Sequence, residues 1–126
     1  MKVSDVMTRD VVKVEVGTPV TEAIRLMAEH GINSVPVVRE GFYEGIVRVE
    51  DVLNLAIGGR VSILDLKVEE VMTPYPVFVS PDTELSEAAR IMVERGVGHL
   101  LVVDGRKVVG IISDFDVIEA ISGTSS

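Results

Sequence analysis

The sequence predicts an α/β fold of two β-α-β-β-α repeats, packed with pseudo-two-fold symmetry into one globular module. Three observations carry this expectation. A shift of 65 residues lays Val3–Gly58 on Val68–Gly123 without a gap, and 20 of those 56 positions are identical. Self-similarity at a fixed period marks a repeat architecture. Both copies also show helical and strand periodicities in the same order. Finally, 47% of the 126 residues are hydrophobic, enough for a shared core, whereas one such repeat alone would bury only ~60% of its unfolded surface.

The elements follow in order. Each copy opens with a short extended piece reached through Met-Thr, Val11–Val16 and Val77–Val79. Val20, Ala23, Ile24, Met27 and Ala28 then recur at helical spacing, as do Leu85, Ala88, Ala89, Met92 and Val93. Thr18 ahead of Pro19 reads as an N-cap and first helical residue, and Gly31 and Gly96 as left-handed C-caps. The helices are therefore expected over Pro19–His30 and Glu84–Arg95. Two β-rich runs come next in each copy, Ser34–Val38 with Tyr43–Val47 and His99–Val103 with Lys107–Ile112. They are separated by the turn signals "REGF" and "DG". A second helix follows, over Glu50–Ile57 and Asp114–Ile121. The repeats occupy residues 1–60 and 66–123. Their linker, "GRVSILDLK", is too short and apolar (Val61, Ile63, Leu64, Leu66) for a flexible tether.

Composition narrows the function. The chain has no cysteine and two histidines, His30 and His99, which leaves no disulfide framework, thiol nucleophile or thiolate metal site. No run approaches the ~18 apolar residues of a membrane helix, and "MKVSDVMTRD" carries charges where a signal peptide is apolar. A soluble, cytoplasmic protein with no membrane association is the expectation, with disorder confined to the Ser-rich tail, Ser122–Ser126. A formal charge of −8 without a basic run argues against a nucleic acid partner.

The paired patterns "VMTRDVVKVEVGTPVTEAIRLMAEHGINSVPVV…GIVRVEDV" and "VMTPYPVFVSPDTELSEAARIMVERGVGHLLVV…GIISDFDV" resemble a tandem of cystathionine-β-synthase (CBS) domains, a Bateman module. The resemblance covers nearly the whole chain. It implies a regulatory module that binds adenosine derivatives (AMP, ADP, ATP or S-adenosylmethionine) in clefts between the repeats, often as a homodimer. Any regulated protein would be a separate chain. The family motif Gly-x-x-(Ser/Thr)-x-x-Asp carries over to Gly110, Ser113 and Asp116, with Asp116 on the ribose hydroxyls and Ser113 with the helix start on phosphate. Thr8, Val12 and Lys13 from the opposite repeat would complete this site, the last two through backbone groups that read adenine, with His99 as a further phosphate contact. The second site would use Thr73, Val77, Phe78, Ser34, Arg48 and Asp51. It departs from the family pattern, because Arg48 stands where Ser113 does.

Each feature also has a purely structural reading. Ser113 and Asp116 form a near capping box, and Asp51 lies favourably on a helix dipole. Arg48, a poor N-cap, could bind phosphate bidentately or fill the pocket. His99 could be a partly exposed strand-end residue and His30 a partner of its helix C-terminus. Met7, Met27, Met72 and Met92 read as core or dimer contacts. Binding an anion in so acidic a chain calls on Lys13, Arg48, His99, Arg9 or Arg95. Catalysis is not expected: metal spacing and a Gly-rich phosphate loop are missing, and Asp114 beside Asp116 aligns with Val49 in the first copy. The alternative to a nucleotide sensor is an interaction or assembly module with non-functional clefts.

Overall fold

Residues 1–59, 62–74 and 77–123 are described by the structure, a computed structural model. Two units emerge, one of Val12–Pro76 and one of Met1–Val11 with Val77–Ser126. The lead-in segment ahead of each repeat's opening strand, Met1–Val11 in the first and residues 66–74 in the second, thus belongs with the body of the other repeat. Val61 of the apolar linker and residues 124–126 of the Ser-rich tail lie outside the described residues.

In the Val12–Pro76 unit, β1 (Val14–Glu15) runs through α1 (Val20–His30) into β2 (Ser34–Arg39), which lies parallel to it. A parallel pair requires such a crossover. Next come β3 (Phe42–Arg48) and α2 (Val49–Gly58). A 3-10 turn (Ile63–Asp65), α3 (Val68–Val71) and β4 (Thr73–Pro74) complete the unit. β3 is antiparallel to both β2 and β4. Val20, Ala23 and Met27 of α1 pack with Val35, Val37, Val47 and Val52 into its core, and Val68 joins them from α3.

The second unit repeats this plan. β5 (Phe78–Val79), α4 (Leu85–Arg95), β6 (His99–Asp104), β7 (Lys107–Ser113) and α5 (Asp114–Ser122) follow in order. β5 is parallel to β6, and β6 antiparallel to β7. Leu85, Ala88, Met92, Leu100, Ile112 and Val117 form the core with Val3 and Met7 from the N-terminal segment.

Gly31 and Gly96 cap α1 and α4 in the left-handed conformation, both at φ 64. Thr18 is not the N-cap of α1. Pro19 takes that place with an extended ψ of 142, so the helix starts one residue later. Thr18 donates its hydroxyl to the Glu15 carbonyl (2.6 Å), and the Val20 N–H reaches Leu66 O at 2.9 Å. The linker residue thereby satisfies the helix start, while Leu64 beside it is 74% exposed.

The apolar stripes are narrower than the periodicity implied. Ala28 and Val93 sit about 80° round their helices from Val20 and Leu85, and both are exposed. The opposite faces carry a repeated ion-pair triad, Arg25 with Glu22 and Glu29, and Arg90 with Glu87 and Glu94. The hairpin turns are Glu40–Gly41 (φ 53 and 90) and Gly105–Arg106 (φ 57 and 83), both central residues at the positive φ that type I′ turns need. Asp104 remains in β6, opposite Lys107. The Asp-Gly signal is therefore displaced by one residue, after a register shift between Val102 and Val103.

Candidate functional site

In the second unit, β7 ends at Ser113 and α5 begins at Asp114, so strand end and helix start meet at the predicted motif. Asp116 N–H donates to Ser113 Oγ (3.1 Å), and Ser113 N–H donates to Asp116 Oδ2 (3.0 Å). The capping box is closed. One carboxylate oxygen of half-buried Asp116 is engaged in it, and the other has no partner among the described residues.

Thr8 arrives alongside. It exchanges two backbone hydrogen bonds with Ile111, each 2.9 Å, which places it beside Gly110. A Cβ on Gly110 would lie 2.5 Å from Met7 Sδ and 3.1 Å from the Thr8 carbonyl oxygen. Gly110 is therefore what allows the N-terminal segment to approach β7. His99 pairs directly with Ser113 across the ladder.

The Val12–Pro76 unit repeats the geometry with different chemistry. Thr73 pairs with Ile46, and its hydroxyl donates to Asp51 Oδ2 at 3.5 Å. Asp51 is the third residue of α2, as Asp116 is of α5. Arg48 is the N-cap of α2, and its side chain accepts no capping bond, since a guanidinium has no acceptor. Ser34 lies opposite Arg48.

The sequence reading omitted Gly45. A Cβ there would lie 2.7 Å from the Thr73 carbonyl oxygen and 2.8 Å from Met72 Sδ, so it does for Thr73 what Gly110 does for Thr8. The 65-residue offset between Gly45 and Gly110 was the available signal.

Among the predicted residues, Thr8, His99, Gly110, Ser113 and Asp116 fall in one unit, and Thr73, Ser34, Arg48 and Asp51 in the other. Val12 and Lys13 belong to the Val12–Pro76 unit, just before β1; Val12 packs on its core and Lys13 is exposed. Val77 and Phe78 belong to the second unit, where the Val77 carbonyl accepts the Leu101 N–H at 3.4 Å. That carbonyl is committed to the sheet.

Arg9 donates to Ser4 O at 3.2 Å, and Arg95 lies exposed in the last turn of α4. His30 holds Leu26 O through Nδ1 at 2.9 Å, the helix-end role expected of it. Met7, Met27 and Met92 are buried, and Met72 packs partly buried against a core. Among the described residues no group of three His, Cys, Asp or Glu could hold a metal ion, and no helix is long and apolar enough to cross a membrane.

These features define a class: a duplicated α/β protein whose repeats each end in a β-hairpin running directly into a helix with aspartate in its first turn. The CBS domain family model matches residues 3–58 and 68–123, and the chain belongs to that family. An uncharacterised protein of Methanocaldococcus jannaschii is 41% identical over 123 residues, a match covering 95% of this chain and 44% of that protein. The chain spans less than half the length of the first curated relatives it matches.

Two solved structures share the fold across its length. The CBS-pair protein CBSX2 of Arabidopsis thaliana, in complex with AMP, has a TM-score of 0.86 and 30% identity, covering 99% of this chain and 98% of that one. The CBS domain of a bacterial CNNM/CorC family Mg2+ transporter, in complex with ATP, has a TM-score of 0.82 and 26% identity, covering 98% and 88%.

Proposed function

We propose that the chain is a regulatory module that binds an adenosine derivative (AMP, ADP, ATP or S-adenosylmethionine) and acts through its occupancy on a separate partner or on its own dimer. One observation carries the reading: each unit pairs a threonine, Thr73 or Thr8, with the strand that leads into a helix bearing aspartate in its first turn, and in the Val12–Pro76 unit the threonine hydroxyl meets that aspartate at 3.5 Å. An ionised carboxylate can accept from two vicinal ribose hydroxyls. The free oxygen of Asp116 leaves room for that contact even with its capping box closed. AMP and ATP in the two similar CBS structures support the ligand class.

Nothing in this role calls for bond-making. A ligand regulates by binding two arrangements unequally and shifting their populations, and the chain is accordingly assigned no catalysis. A homodimer would draw on the exposed apolar residues Leu53 and Ile57 of α2 and Phe115, Ile118 and Ile121 of α5. The same side chains favour the second reading, an assembly module without nucleotide binding.

Thermal melting of the full chain with AMP, ADP, ATP, S-adenosylmethionine and NAD separates the two. A ligand at ~100-fold its Kd adds ~2.7 kcal/mol and raises Tm by several degrees. Stabilisation by one or more adenosine ligands is the expected result. No shift with any of them would leave assembly as the function.

A further inference from the structure

The repeat alignment conceals an inversion that the sheet register exposes. In the ladder of β2 and β3 the last pair is Ser34 opposite Arg48; in the ladder of β6 and β7 the equivalent pair is His99 opposite Ser113. Directly opposed residues share one face of the sheet, with Cβ atoms about 4.5–5.5 Å apart. Each unit therefore holds one hydroxyl and one basic side chain at the start of its terminal helix, carried by opposite strands.

Helix capping does not explain the inversion. Ser113 caps α5, whereas the hydroxyl of the other unit sits on Ser34, and α2 has no side-chain cap. In α5 the first-turn N–H groups of Asp114, Phe115 and Asp116 are taken by Gly98 O, Asp114 Oδ1 and Ser113 Oγ. In α2 the Val49 N–H goes to Asn33 O, and no side chain caps the helix. Half-buried Arg48 makes no side-chain hydrogen bond or ion pair among the described residues. The exchange thus gave up a cap and kept a cation.

We infer that Arg48 and His99 fill one role, the cation for the anionic part of the ligand, and that Arg48 makes the Val12–Pro76 unit selective for a polyphosphate tail. This rests on the adenosine-derivative reading above. A guanidinium is always charged and offers a planar fork of donors that fits two phosphate oxygens. An imidazole is a weaker match, carrying full charge only below its titration.

The test is calorimetry of the full chain with ATP and with adenosine, on the wild type, Arg48→Ser, and Arg48→Ser combined with Ser34→His. Arg48→Ser installs a good N-cap, so folding is preserved. The wild type should bind ATP at two unequal sites. Arg48→Ser should weaken the tighter one by roughly tenfold to a hundredfold, as loss of a charged hydrogen-bonding partner does, with adenosine affinity unchanged within about twofold. The double variant copies the order of the other unit and should bring the two ATP affinities together. Equal weakening of ATP and adenosine, or an unchanged ATP affinity, would overturn the inference while the adenosine reading stands. A wild type that binds neither ligand would overturn both.

Discussion

Gly45→Ala probes the contact on which the Val12–Pro76 unit depends. The added Cβ would lie 2.7 Å from the Thr73 carbonyl oxygen, against about 3.4 Å for an ordinary contact, and the obstacle is backbone rather than a flexible side-chain end. β4 must retreat by about 0.7 Å or β3 must buckle, and Gly45 is paired with Val37 on its other side. Overpacking of this kind costs about 1–3 kcal/mol, and weakening a hydrogen bond to β4 adds about 1 kcal/mol. The expected loss of about 2–4 kcal/mol corresponds to a fall in Tm on the order of 10 °C. Urea unfolding checks it, with a lower midpoint at unchanged m. Gly58→Ala is the matched control: it lies in α2 with nothing within 4 Å of its Cβ position, and should gain about 0.5–1 kcal/mol. A Gly45→Ala protein as stable as wild type would refute the close-approach argument.

Other consequences are local. Ser113→Ala removes the N-cap of α5 and should cost about 1 kcal/mol in denaturant unfolding. Arg106→Gly relieves a non-glycine residue at φ 83 and should raise stability by about 1 kcal/mol; an unchanged midpoint would mean that the turn carries no strain. Hydrogen bonds from its own backbone N–H and that of Gly17 hold the Glu69 carboxyl below the usual carboxylate range. A depressed folded pKa gives stability that is present above the unfolded pKa and lost as pH falls through the folded one. Unfolding across pH 7 to 3 should therefore show a shallower acid loss in Glu69→Gln than in wild type.

Local periodicity made most of the elements legible. Val20, Ala23 and Met27 face inward as their spacing implied, and the glycines after α1 and α4 stop the helices by the left-handed conformation. The start of α1 was misplaced because Pro19 is extended and a residue distant in sequence, Leu66, satisfies the first helical N–H. Sequence pattern carries no trace of such a partner. The family resemblance grouped Thr8 with Gly110, Ser113 and Asp116, but its pairing with Ile111, across about a hundred residues, leaves no local signature. Ser113 and Asp116 were legible as a capping box, and the structure closes it. Opposing Ser34 to Arg48 required the strand register, because the alignment compares Arg48 with Ser113 and Ser34 with His99.

The proposed function requires Asp51 and Asp116 to hold a ligand. Calorimetric titration of the full chain with AMP or ATP, repeated on Asp51→Ala and Asp116→Ala with stability measured alongside, addresses this directly. The expected result is saturable binding in the wild type and loss of one site in each variant, with affinity at the remaining site retained. Wild-type affinity and stoichiometry in both folded variants would contradict the ribose-anchor assignment.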